Sequence, residues 1–89
     1  MKKPKAWAQG DVVLVEEDVL PKDAVEVKDH DGVLFRGEAT GHRHIAKGQA
    51  RFFRDGSTLY AYALSDLQIV HEDHPTLIVP AGKIVRYYQ

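Results

Sequence analysis

The sequence predicts an all-β domain, a small antiparallel barrel or sandwich of about eight short strands. Two observations carry that prediction. Apolar residues recur with period two along most of the chain, and no window of about 11 residues shows helical spacing. Turn signals built from Gly, Pro, Asp and Ser recur roughly every 8–12 residues, the rhythm of short strands.

Taken in order, DVVLVE at 11–16 is a continuous apolar run, as expected of a strand covered on both faces. Pro21 and the charges around it read as a connection. AVEVKD then alternates, with Val25 and Val27 on one face and Glu26 and Lys28 on the other. DHDG reads as a hairpin loop. A three-residue His30-Asp31-Gly32 loop with Gly32 left-handed sets Val27 against Phe35 and Glu26 against Arg36, gathering Val25, Val27, Val33 and Phe35 on one side. A two-residue loop sets Lys28 against Phe35, a poorer match.

ARFFRDGSTLYAYAL is the strongest hairpin signal. Asp55-Gly56 as a type I′ pair sets Phe53 against Thr58, Phe52 against Leu59 and Arg51 against Tyr60. In DLQIVH, Leu67, Ile69 and His71 share a face; Pro75 favours an extended His74. TLIVP and KIVRYYQ close the sequence, separated by a turn at Pro80-Ala81-Gly82. So many strands on a short chain leave edges, which full closure or pairing between subunits would remove. Self-association, or a place in a larger protein assembly, is therefore the partner expectation.

With 89 residues the chain is one domain: a basic, partly flexible arm over 1–10 and a single β domain over 11–89. It has no cysteine, which excludes disulfides and thiolate metal sites. A net charge of −1 argues against a general nucleic-acid binder, and no run approaches a membrane span. The exception is local: Lys2, Lys3 and Lys5 precede Trp7, and these four residues could form an interaction arm. No apolar region follows the lysines, so no secretory signal is read and the expected location is cytoplasmic or virion-associated.

The residues that could carry chemistry are two histidine pairs. On a strand, His42 and His44 share one face with Thr40, while Gly41, Arg43 and Ile45 take the other. Two imidazoles pointing the same way make a start for a first-row metal. His71 and His74 flank a turn through Glu72-Asp73. Glu38 and Glu72 are supporting candidates, as a further ligand or as acceptors that fix an imidazole tautomer. The candidate cofactor is one divalent ion such as zinc; otherwise none is expected. The competing reading is four polar loop histidines, hydrogen-bonded or solvated at strand ends. His30 is expected at a solvated hairpin tip, and Ser57 and Ser65 in turn roles.

Gly37 ahead of His42-Arg43-His44, together with Pro80-Ala81-Gly82, is similar to fragments of the cupin motifs. Lys47, Gly48 and Gln49 stand where a cupin glutamate would, and no histidine follows Gly82, so cupin chemistry is not expected. A resemblance over almost the whole chain is to an uncharacterised family of small hypothetical proteins from bacteria and their phages. It rests on Gly10-Asp11-Val12, the Gly37 to His44 stretch GEATGHRH, the His71 to His74 stretch HEDH, and Pro80 to Gly82. The resemblance implies that the two histidine pairs form one signature.

Three functions compete. The first is a small β-domain, non-enzymatic or uncharacterised, with a histidine-rich metal or ligand site; the sequence leaves enzymatic activity open and leans against it. The second is a structural or assembly module, such as a phage virion accessory or decoration protein. The third is a weak single-stranded nucleic-acid binder using Phe52, Phe53, Tyr60 and Tyr62 with Arg51 and Arg54, which is disfavoured because Phe52 and Phe53 fall on opposite faces.

Overall fold

The computed structural model describes residues 5–36 and 42–89. Lys2, Lys3 and Glu38 lie outside the described residues. The described chain is all-β: β1 (Ala6–Gln9), β2 (Val12–Glu17), β3 (Val25–Glu26), β4 (Val33–Arg36), β5 (Arg43–Lys47), β6 (Ala50–Asp55), β7 (Thr58–Ala63), β8 (Leu67–His71), β9 (His74–Val79) and β10 (Ile84–Tyr88). Ten strands thus stand where about eight were expected; Ala6–Gln9, paired with β2, is the strand not read from the sequence, and the strand read at AVEVKD is reduced to the two residues Val25–Glu26 at a sheet edge.

The strands form two antiparallel sheets, a six-stranded one ordered β1-β2-β10-β7-β6-β3 and a four-stranded one ordered β4-β5-β8-β9. They face each other as a sandwich rather than a closed barrel. Val12 and Leu14 of β2, Phe52 of β6, Ala61 and Ala63 of β7, and Val85 and Tyr87 of β10 point inward from the larger sheet. Leu34, Leu67, Ile69 and Val79 meet them from the smaller one. Trp7 packs partly against this core, with the ammonium of Lys5 5.5 Å from its ring centre. No helix among the described residues is long and apolar enough to cross a membrane.

Three local expectations are corrected. The run at 11–16 alternates in burial: Val12 and Leu14 are inside, while Val13 and Val15 are half-exposed on the outer face. The DHDG hairpin does not form. Glu26 pairs with Phe53 in the larger sheet, whereas Val33 pairs with Ile45 in the smaller one, so the chain crosses between sheets at that point. Val25 is accordingly 62% exposed, and Glu26 binds Arg51 through two hydrogen bonds. His30 is half-buried, not solvated: its ring stacks on Phe52 at 3.7 Å and its Nδ1 accepts the Gly32 amide.

The hairpin after β6 forms one residue later than expected. Asp55 pairs with Thr58, leaving Gly56-Ser57 as the loop, and Phe52 faces Ala61 rather than Leu59. Only Gly56, at φ 60°, is left-handed, which fits a type II′ turn and not type I′. The shift moves each partner by two, so every side chain keeps its face. At Pro80-Ala81-Gly82 the turn forms as expected, with Gly82 at φ 86° and Lys83 N–H donating to Pro80 O at 3.2 Å.

Candidate functional site

The two sheets meet along one side, where β1 lies against β9. Two tight turns and the start of β5 converge there: the Gly10-Asp11 turn joining β1 to β2 and the Glu72-Asp73 turn joining β8 to β9. Both turns form for local reasons. Gly10, at φ 61°, supplies the left-handed first position of its two-residue loop. In the other turn neither central residue is left-handed, and the Asp73 amide instead donates to Nδ1 of His71 at 3.0 Å. Such a turn splays its strands, and a bulge follows: Pro75 and Thr76 oppose the single Val70. Pro75, which has no amide to give a ladder, sits in the edge strand of its sheet.

This packing gathers all four paired histidines. The ring of His71 lies 4.4 Å from that of His44, 4.7 Å from His74 and 5.6 Å from His42, centre to centre. The rings of His44 and His74 are nearly parallel, 6.5 Å apart. For comparison, two imidazoles bound to one tetrahedral ion, with metal–nitrogen bonds of about 2.0–2.1 Å, hold their ring centres about 5 Å apart. As placed, no three His, Asp or Glu side chains among the described residues converge at bonding distance on a single point. His74 is the exposed member of the group.

His44 is the fixed member of the group. It is 5% exposed and shares its face with Ala46, which packs on the core, so Ile45 points to the outer surface. Its partner is Gln9, which is 2% exposed. The amide nitrogen of Gln9 donates to Ile69 O at 2.7 Å and to Pro75 O at 2.9 Å, which uses both its protons. Its Oε1 must then accept, and it stands 2.9 Å from Nδ1 of His44. The proton of neutral His44 is therefore on Nδ1, and the lone pair of Nε2 is turned to the cluster. Burial holds the imidazole below the usual histidine range, helped by the charge of His71 and then of His74, and opposed by Asp11.

The other members differ in availability. His71 uses Nδ1 to accept from Asp73, so its neutral ring carries the proton on Nε2. His42 has Nδ1 2.8 Å from Asp73 Oδ2 and Nε2 3.2 Å from Glu72 Oε2. Both nitrogens of His42 thus face carboxylates. His74 lays its Nε2 against Gly10: a Cβ built on that glycine would stand 2.6 Å from it. Lys5 precedes β1 and Trp7 lies on it, packed partly against the core.

Two residues of the site went unread in the sequence. Gln9 organises His44, and Asp11 places Oδ1 3.9 Å from Nε2 of His44. The signal for Asp11 was its place in Gly10-Asp11-Val12, one of the motifs carrying the family resemblance. Gln9 gave no sequence signal beyond a polar residue in an apolar stretch.

Fold and site together define a small two-sheet antiparallel β-domain with an imidazole–carboxylate cluster at the junction of its sheets. The chain belongs to a family described as a domain of unknown function (DUF8820), which matches residues 8–89. No curated protein and no solved structure matches it.

Proposed function

We propose that this is a non-enzymatic β-domain that binds one divalent first-row metal ion, such as zinc, through its histidine cluster. One observation carries the reading: β5 with the residue before it and the β8–β9 hairpin bring four imidazoles together, with the tautomer of His44 set by a buried glutamine. A ligating histidine whose second nitrogen is hydrogen-bonded is the usual arrangement around protein-bound metals. Neutral nitrogen donors suit zinc, copper, nickel and iron better than calcium or magnesium. His44, His71 and His74 are the nearest ligands. His42, held by Glu72 and Asp73, is the reserve, and Glu38 remains a supporting residue of this proposal.

The test is metal content and zinc titration of protein carrying no histidine tag. Binding near one equivalent is expected, with a rise in Tm, since a ligand at 100 times its Kd stabilises by about 2.7 kcal/mol. The His42→Ala/His44→Ala variant should lose both effects. Sub-stoichiometric zinc and an unchanged Tm in the unsubstituted protein would end the reading.

A second reading, a structural module that self-associates or joins a larger assembly such as a virion, is favoured by a different face. Because His44 points inward, Ile45 points out, and the pairing sets it between Val33 and Val70 as a half-exposed apolar row across three strands. Sedimentation of the protein against an Ile45→Lys variant tests this: a concentration-dependent dimer lost on substitution supports it, and a monomer at all concentrations opposes self-association. A stacking surface for single strands has less support. Phe52 is core, and Arg51 and Arg86, beside Phe53 and Tyr88, are already paired with Glu26 and Glu17.

A further inference from the structure

We propose that Asp11 is the carboxylate ligand of this site, binding the ion through Oδ1 beside Nε2 of His44 and Nε2 of His74. The inference rests on the metal-binding reading and gives it a mixed nitrogen–oxygen donor set drawn from both sheets.

Three observations point to Asp11. Its Oδ1 stands 3.9 Å from Nε2 of His44, too far for a hydrogen bond. Two donors on one ion, each with a bond of about 2.0–2.2 Å, are about 3–3.5 Å apart, so a movement below about 1 Å closes the gap. Asp11 is exposed, with 72% of its side-chain surface open to solvent, so little packing opposes that movement. Secondly, Oδ2 accepts a hydrogen bond from Nε2 of Gln89 at 3.1 Å, which leaves Oδ1 turned to the histidines. Carboxylate ligands are commonly held in this way by an outer hydrogen bond. Thirdly, the residue before Asp11 is a glycine against which Nε2 of His74 rests, where a Cβ would stand 2.6 Å away. The bare backbone of Gly10 lets the third donor approach the turn that carries Asp11.

The neighbouring carboxylates are committed elsewhere. Glu72 and Asp73 both face the ring of His42. Asp11 is also a suitable turn residue in its own right. A pure turn role, however, asks nothing of Nε2 of His44, and the two roles separate by experiment.

The experiment titrates tag-free protein with Zn²⁺ and, separately, with Co²⁺, whose visible bands report the number and type of donors. Asp11→Asn keeps the turn and an acceptor for Gln89, so its metal-free Tm should match that of the unsubstituted protein. Zn²⁺ affinity should fall at least about tenfold, and the Co²⁺ bands should change in position and intensity. Affinity within about twofold, with an unchanged Co²⁺ spectrum, overturns the role of Asp11 alone, provided His44→Gln still loses the metal. If the unsubstituted protein takes up neither ion, the metal reading fails and this inference with it.

Discussion

Oε1 of Gln9 accepts from Nδ1 of His44 at 2.9 Å, while Nε2 of the same amide donates to the carbonyls of Ile69 and Pro75. One buried side chain therefore ties β1 to β5, β8 and β9. Two kinds of damage follow its removal: carbonyls lose donors, and a buried imidazole loses the partner that fixes its proton. Gln9→Met keeps the length and volume but no acceptor or donor. It should destabilise by about 2–3 kcal/mol, read from the urea midpoint. Gln9→Glu keeps an acceptor for His44 but sets a carboxylate against two carbonyl oxygens, so it should also lose stability at neutral pH. A Gln9→Met chain as stable as the original would show that water replaces the amide at no cost.

Stability should fall on mild acidification. Burial holds His44 below the usual histidine range, with His71 adding to the effect, and burial does the same to His30 against the pull of Asp31. For each, the unfolded chain takes up its proton near pH 6.5 while the folded chain does so lower. Between those values the unfolded state binds more protons, so stability is full above about pH 6.5 and declines as pH falls toward the folded values. Urea midpoints of metal-free protein should therefore drop between pH 7.5 and pH 5, and drop less in a His30→Gln/His44→Gln chain. A flat profile would contradict the burial of both rings. Tyr87 acts at the other limit: burial raises its phenol to about 12, so stability should also decline once pH passes about 10, where the unfolded chain ionises first.

The stack of His30 on Phe52 is a further measurable contact. A double-mutant cycle over His30→Ala and Phe52→Leu should give a coupling of about 0.5–1.5 kcal/mol beyond the separate losses. Additive effects would mean that the rings adjoin without interacting.

The faces of the strands were legible in the sequence, and the partners were less so. Alternation put Phe52 and Phe53 on opposite faces and Leu67 with Ile69 on one, because a buried face imposes period two whatever the partner strand is; the structure covers Phe52, Leu67 and Ile69. It could not tell that Glu26 and Val33 enter different sheets, since a crossing and a hairpin share the same turn residues and the same alternation. His30 was misplaced for the same reason: a crossing loop passes over the core, whereas a hairpin tip leaves it. At the site, the two histidine pairs were visible as motifs, and the inward direction of His44 followed from knowing which face of β5 is covered. Gln9 was not legible. Its role depends on two carbonyls 60 and 66 residues away, the second in a bulge that no spacing announces.

The turns at Gly10-Asp11 and Gly56-Ser57 permit a controlled comparison. Both are two-residue hairpin loops led by a left-handed glycine, at φ 61° and 60°. An alanine at either position carries the backbone penalty of the left-handed region, about 1–2 kcal/mol. At Gly56 the added Cβ meets nothing within 4 Å, so the penalty is the whole effect. At Gly10 it would also meet Nε2 of His74 at 2.6 Å and must displace the ring. Gly10→Ala should therefore lower Tm at least as much as Gly56→Ala, and it alone should shift the His74 ring resonances. On the proposed function, zinc affinity should fall in Gly10→Ala and stay unchanged in Gly56→Ala. Equal zinc affinity in the two variants would remove His74 from the metal site even if the other histidines bind.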